Sequence, residues 1–392
     1  MRGHIRKRGE TWTVVVDVGR DPASGKRRQK WQGGFRTKRA AERALTETLD
    51  RLERGTYAER SNETLAAYLE EWLRAIRPSL RSSTWESYAR NTRTHIVPRL
   101  GQTGLQALTP SALNAFYGDL LAEGRRDGRG LSPRTVRYCH AILRKALSDA
   151  VRWNRIARNV ADSADPPSAS TSKATEMRTW SADELRTFLA SVRDDRFYAL
   201  WLLAATTGMR RGEIAGLRWS DVDLGAARLS VRRALVVVAY RVEWSEPKTD
   251  RGRRSIALDP ATVQALREHR LRQLEEGFLL GTTEPHDLVF AREDGSHPHP
   301  ERISKAFEQH VRRSDLPRIR FHDLRHTHAT LALQAGVHPK VVSDRLGHAD
   351  IALTLNVYSH AIPALQETAA ALVASLIFDR DAPLSSESSF SA

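Results

Sequence analysis

Along the first sixty residues apolar side chains alternate, then fall into a helical rhythm. Thr11–Val18 places Trp12, Val14, Val16 and Val18 at every second position, the period of a strand with one buried face. Asp21-Pro22-Ala23-Ser24-Gly25 is a turn, and Lys26–Trp31 returns as a further strand. Thr37 then stands as the N-cap of a helix to about Arg54, with Ala41, Ala44, Leu45 and Leu52 on one face and Gly55 as its stop. The pattern predicts a small N-terminal three-stranded sheet plus helix.

Residues 62–163 read as helical throughout. Leu65–Ala75 carries Leu65, Tyr68, Leu69, Trp72 and Leu73 at helical spacing, and Ser83–Ile96 follows before Pro98, Gly101 and Gly104. Thr109-Pro110 opens a helix to about Glu123, and Ser132-Pro133 repeats the device before Arg134–Trp153. Packed through their apolar faces, these segments predict an all-α bundle. Asp165-Pro166-Pro167-Ser168-Ala169-Ser170-Thr171-Ser172 reads as a linker. Beyond it, Ser181–Val192 is a helix with Ser181 and Glu184 as a capping box, and an apolar helix Phe197–Thr207 ends at Gly208. Ala227–Ala239, Arg241–Trp244 and Arg253–Leu258 read as strands, and helices return from Pro260. The third region is therefore mainly α with a small antiparallel sheet, making the chain multidomain α+β. The expected division is 1–60, 61–167, 168–378, and a serine-rich disordered tail at 379–392.

Charge adds direction to that outline. The chain of 392 residues carries a net +15. Residues 1–60 hold 16 Lys+Arg against 8 Asp+Glu, residues 61–167 hold 16 against 10, and the remainder holds 30 against 29. The excess lies in the first two regions, where it can release counterions from a nucleic acid backbone. Arg6, Lys7, Arg8, Arg27, Arg28 and Lys30 in the first region are candidate DNA contacts, as are Arg134, Arg137, Arg144 and Lys145 in the second. A solvated basic surface without a ligand is the alternative reading. No apolar run reaches the ~20 residues of a membrane span, and the basic N-terminus has no apolar segment behind it. One cysteine, Cys139, excludes an internal disulfide, and a reducing cytoplasm is the expected setting.

Four short segments hold the candidate chemistry. They are Thr207-Gly208-Met209-Arg210-Arg211-Gly212-Glu213, Pro247-Lys248-Thr249, His322-Asp323-Leu324-Arg325-His326, and Leu346-Gly347-His348 with Tyr358 ten residues on. Singly each is bland: a surface cation, a solvated lysine, a capping histidine, a packed tyrosine. His322 and His326 at i, i+4 suggest a metal, but Asp323 stands where a zinc-protease helix has glutamate. Together, in the order Arg, Lys, His-x-x-Arg, His, Tyr, the segments resemble the tyrosine recombinase family, also called phage-type integrases. The second region resembles that family's core-DNA-binding domain, and the first, more loosely, its arm-binding domain.

The resemblance implies catalytic roles for Arg210, Lys248, His322, Arg325, His348 and Tyr358, with Glu213 in support. Guanidinium groups suit the two non-bridging oxygens of a phosphodiester, where charge builds in the transition state. Tyr358 would attack, His322 would take its proton, and Lys248 would protonate the leaving 5′-oxygen. His348 would bond the phosphate or assist that transfer. Neither metal, other cofactor nor ATP is expected, and the sequence has no Walker-type loop. The implied activity is integration by a phage or mobile-element recombinase, through a 3′-phosphotyrosyl bond and a Holliday junction. Implied partners are duplex DNA at core and arm sites, three further copies of the chain on DNA, an excisionase and a DNA-bending protein. The chain would be cytoplasmic, associated with the nucleoid when bound to DNA, with no membrane. A topoisomerase-like relaxer and a catalytically silent DNA-binding regulator are the competing readings. Arg211 competes with Arg210 for the phosphate, and His328 stands where the family often has an aromatic residue. Pro363–Phe378 docks either on a neighbouring protomer or within its own chain.

Overall fold

The computed structural model describes residues 3–20, 25–53, 59–125, 127–168, 178–246, 252–281, 287–348, 350–351, 354–355, 370, 373–375 and 377. They form two compact units, Met1–Ala174 and Thr175–Ala392. The mid-linker at 169–172, the tail at 379–392 and most of Pro363–Phe378 lie outside the described residues, as do Lys248 and Tyr358. Among the described residues no helix is long and apolar enough to cross a membrane.

The first unit opens with strands β1 (Gly3–Arg8), β2 (Thr11–Arg20) and β3 (Arg27–Phe35), an antiparallel sheet in that order. Helix α1 (Lys38–Glu53) packs Ala41, Ala44, Leu45 and Leu49 against Val14 and Val16. The third strand of the expected sheet proves to be β1. Ile5 is its one aliphatic residue, so alternation did not mark it, and its ladder with β2 runs from Gly3↔Val16 to Arg8↔Thr11.

Helices α2 (Leu65–Ile76), α3 (Ser82–Asn91), α4 (Val97–Leu100), α5 (Pro110–Glu123) and α6 (Pro133–Arg152) follow. Thr64, Thr109 and Ser132 cap α2, α5 and α6 by accepting from the N–H three residues on. Ser83–Ile96 is not one regular helix. A wide turn over Thr92–Ile96 joins α3 to α4, and the Val97 N–H donates to Thr92 O, five residues back. Pro98, lacking a donor and crowding the preceding turn, accounts for the widening. The bundle core gathers Tyr68, Trp72, Phe116, Ile142 and Leu143. Its two largest polar edges are satisfied: Tyr68 O–H donates to Ala146 O at 2.6 Å and Trp72 Nε1 to Asp149 Oδ2 at 2.8 Å.

The second unit contains α7 (Ala182–Ser191), α8 (Tyr198–Thr207) and α9 (Arg211–Ala215) ahead of its strands. The capping box of α7 is present, with Glu184 N–H to Ser181 Oγ at 3.2 Å and Ser181 N–H to Glu184 Oε2 at 2.7 Å. Strands β4 (Val222–Asp223), β5 (Arg228–Val231), β6 (Ala234–Val238), β7 (Arg241–Ser245) and β8 (Arg254–Ala257) form two sheets, β4-β5-β8 and β6-β7. The predicted strand Ala227–Ala239 is thus divided between the sheets. Arg232 and Arg233, side by side at the break, both turn to the buried Asp221, at 3.6 and 3.7 Å. Helices α10 (Pro260–Leu279), α11 (Pro300–Arg312), α12 (Asp323–Gln334) and α13 (Pro339–Leu346) complete the unit. Its core is aromatic, with Trp180, Phe188, Trp201 and Phe307 packed edge to face or tilted around α8.

Candidate active site

Helix α13 ends at Gly347, whose φ of 67° is left-handed, the conformation that closes many helices and favours glycine. A helix end leaves carbonyls without intrahelical donors. Three consecutive ones here receive three different guanidiniums. Arg254 Nε donates to Arg345 O at 2.6 Å, Arg325 Nη2 to Leu346 O at 2.7 Å, and Arg210 Nη2 to Gly347 O at 3.1 Å. Arg325 also donates from Nη1 to Gly208 O at 2.8 Å, at the left-handed cap of α8. The negative ends of two helices therefore hold the buried Arg325.

Glu213, also buried, ties two of these cations together. Its Oε1 accepts from Arg210 Nη1 and Arg254 Nη1, and its Oε2 from Arg210 N–H and Arg254 Nη2, at 2.8–3.1 Å. Burial works to raise this carboxyl's pKa, but the hydrogen bonds and charge of Arg254, with the charge of Arg210, hold it below the usual range. Arg210 remains half-open, its side chain 42% exposed. Two of its five N–H donors are used by Glu213 Oε1 and Gly347 O, and the half-exposed guanidinium keeps charge to offer an anion.

Histidines lie close to the same charges. His348 is buried and shares a 2.8 Å hydrogen bond between Nδ1 and Thr354 Oγ1. Burial, then the Arg325 and Arg210 charges, push its pKa down to about 4. His326 is pushed to about 4 by burial and by His322, whose ring lies perpendicular to it at 5.1 Å. His322 is exposed overall, yet the packing around its ring and the charge of Arg325 lower its pKa too, with Asp323 opposing. All three are neutral at pH 7 and able to accept a proton. Asp323 is committed to Arg320 through two side-chain bonds of 2.7 and 3.0 Å. Among the described residues no group of three His, Cys, Asp or Glu can hold a metal, which leaves the His322–His326 pair without further ligands of that kind.

Arg210, Glu213, Arg325 and His348 are thus brought together, with His322 near enough for its titration to feel Arg325 and Arg210. Arg211 is turned away, its Nη1 donating to Ser304 Oγ of α11 at 2.8 Å. His328 donates its Nδ1–H to Ala205 O at 3.1 Å. Two members of the cluster, Arg254 and Thr354, were not singled out in the sequence. Arg254 had one signal: it alternates with Ile256 and Leu258, so it sits on the inward face of its strand, an unusual place for a cation.

The basic residues of the first unit divide by face. Arg6 and Arg8 lie against the half-exposed Trp31 ring, 6.0 and 5.4 Å from its centre, on the side of the sheet away from α1. Lys7 alternates to the other side. Arg27 is paired with Asp17, while Arg28 and Lys30 both reach Glu59. On α6, Arg134 is exposed, Arg137 donates to Pro167 O at 2.7 Å, Arg144 pairs with Asp162 at 2.7 Å, and Lys145 approaches Asp149 at 3.4 Å.

Comparison with known proteins places this arrangement in a class. Residues 178–364 match the phage integrase family, residues 4–52 an arm DNA-binding domain, and residues 64–121 the N-terminal SAM-like domain of phage integrases. The class is that of enzymes that cleave and rejoin DNA in site-specific recombination. The chain belongs to the tyrosine recombinase, or phage integrase, family. A tyrosine recombinase XerC-like protein of Caldanaerobacter subterraneus is 28% identical over 378 residues, 92% of this chain and 95% of the relative. The ICEBs1 integrase of Bacillus subtilis is 24% identical over 364 residues, 91% and 95% of the two chains. Among solved structures, the Tn1549 transposon integrase in complex with transposon right end DNA superposes with a TM-score of 0.65 at 21% identity, covering 78% of this chain and 99% of that one. A lambda integrase tetramer bound to a Holliday junction has a TM-score of 0.56 at 17% identity, covering 91% and 94%.

Proposed function

We propose that the chain is the integrase of a phage or integrative element, and that Tyr358 cleaves DNA by attack on a backbone phosphate. The observation that carries this reading is the convergence of Arg210 and Arg325 on one helix end beside the neutral His348. Two guanidiniums so placed would bind the non-bridging oxygens and stabilise their growing charge. The Tyr358 hydroxyl forms the new O–P bond and gives its proton to His322. The P–O5′ bond breaks, and Lys248 gives its proton to the departing oxygen. A 3′-phosphotyrosyl bond and a free 5′-hydroxyl result. Attack by the 5′-hydroxyl of a partner duplex reverses the step, and two rounds pass through a Holliday junction in an assembly of four chains. The bond energy stays in the phosphotyrosyl link, so no nucleotide is consumed.

In this reading residues 1–60 bind arm sites, 61–167 the core site, and 168–378 carry the chemistry. The test uses a nicked duplex recovered from a randomised pool by its SDS-resistant attachment to the wild-type chain. Tyr358→Phe should leave no adduct. An adduct formed by that variant would sink the assignment of the nucleophile. Removal of residues 1–60 should spare the adduct and abolish integration.

A further inference from the structure

Arg254 has no place in the catalytic order, yet it is the most enclosed cation bonded to Glu213. Its side chain is 6% exposed, against 42% for Arg210. We propose that Arg254 is a positioning residue for strand cleavage, locking Glu213 and the end of α13 into one frame that aims Arg210 and Arg325. The proposal rests on the reading of those two arginines as the phosphate-binding pair.

The bonding pattern makes the argument. A carboxylate offers about four lone-pair positions. On Glu213 two are filled by Arg254, one by the Arg210 side chain and one by the Arg210 backbone. The carboxylate cannot turn without losing a bond to one arginine or the other. Arg254 also spends its Nε on Arg345 O, the first of the three carbonyls whose next two members hold Arg325 and Arg210. One guanidinium therefore fixes both surfaces against which the outer arginines rest.

Stability alone is a poor account of such a pair. Buried ion pairs can often be replaced by packed apolar groups without loss, whereas what they define well is geometry. Without Arg254 the Glu213 carboxylate would keep Arg210 as its remaining counter-charge. It would draw that guanidinium inward, away from an anion outside. Arg254 itself stays behind Glu213 and need not touch DNA.

The full chain is tested with Arg254→Met, Arg254→Lys, Glu213→Gln and the Met/Gln double variant, on the nicked duplex selected above. Band-shift Kd, the single-turnover rate of adduct formation and the melting curve are read for each. Arg254→Met should slow the adduct by about 100-fold, the scale of a small misplacement, with Kd within about twofold. Arg254→Lys should recover part of the rate, since one charge returns without the bidentate fork. The double variant should be no slower than Arg254→Met, because both act through one frame. Losses that multiply, a Kd change that accounts for the whole effect, or a wild-type rate in Arg254→Met would each overturn the positioning role. If Arg254→Met does not fold, Arg254→Lys with a wild-type rate and melting curve overturns it as well. Arg210→Ala run alongside separates the two readings. Undiminished adduct in that variant removes the premise and the proposal together, while a dead Arg210→Ala beside a fast Arg254→Met removes the proposal alone.

Discussion

In the first unit Arg93, Arg144 and Arg28 reach across the surface to Glu70, Asp162 and Glu59, with both partners of each pair around half exposed. In the second, Arg325 turns inward and ends on two backbone carbonyls, and Arg254 divides itself between a carbonyl and the buried Glu213. Exposed pairs of the first kind contribute about 0–1 kcal/mol and exchange readily with water and salt. Charged hydrogen bonds of the second kind contribute about 1.5–3 kcal/mol, and a buried acceptor left without its donor costs a further ~1–3 kcal/mol. A cation resting on a surface carboxylate can be handed to a phosphate along a groove. A cation resting on the main chain keeps one place, which chemistry at a single phosphorus requires. The difference teaches how one residue type serves both search and reaction.

That contrast can be broken most sharply at Arg325. Arg325→Ala should reduce adduct formation by about 10³-fold or more, the scale of losing a preorganised charge at the reacting centre. It should also lower the unfolding midpoint, since Gly208 O and Leu346 O lose a donor. Arg144→Ala measured in parallel should leave both nearly unchanged. A comparable loss in the two variants would erase the distinction.

Acid should act chiefly on the second unit. His326, His328 and His348 are each held at about 4, below the ordinary 6.5, by burial first. The unfolded chain then takes up protons that the folded chain refuses. Stability is therefore full above pH 6.5 and falls as pH drops toward 4. Urea midpoints taken from pH 7.5 to 4.5 should show this slope, and His328→Phe should flatten it by about one proton. An unchanged slope in that variant would count against the assignment.

Gly208→Ala tests the same frame through the backbone. Its φ is 63°, and an added Cβ would meet Leu346 at 2.7 Å and His328 at 2.8 Å. A loss of about 1–3 kcal/mol in urea unfolding is expected. Smallest is Glu59→Gln, which releases Arg28 and Lys30 on the sheet. Stability should shift by less than about 1 kcal/mol, and affinity for arm DNA should rise by less than about tenfold. Lys30→Ala should lessen the salt slope of that binding by about 0.9 if the lysine meets one phosphate.

Much of the fold was legible because periodicity and caps are local. Thr109-Pro110, Ser132-Pro133 and the Ser181–Glu184 box mark helix starts that the structure retains. Strand β1 was not marked, because its place comes from pairing with β2 rather than from its own GHIRKR pattern. At the break between β5 and β6, Arg232 and Arg233 turn to Asp221 on the far side of β5, a pairing that the alternation of the strand itself does not signal. For the site, ordered residue types pointed to Arg210, His322, Arg325 and His348. They were silent on what holds those residues, since backbone carbonyls carry no side-chain signature. Arg254 was hidden beside Arg253, and only the alternation toward Ile256 distinguishes the two.

The two left-handed helix ends at Gly208 and Gly347 also bear on how this gene can drift. Every glycine codon loses its meaning when either of its first two bases changes, and each replacement side chain begins with a Cβ or ends translation. Most positions near the site tolerate some neighbouring codon, since a helix surface accepts many residues. These two do not, because both hold φ above 60° in the backbone that presents carbonyls to Arg325 and Arg210. Beyond silent third-base changes, asparagine and aspartate are the side chains that enter this left-handed region most easily. Point changes at these two codons should therefore cost activity even in a chain whose site arginines are all intact.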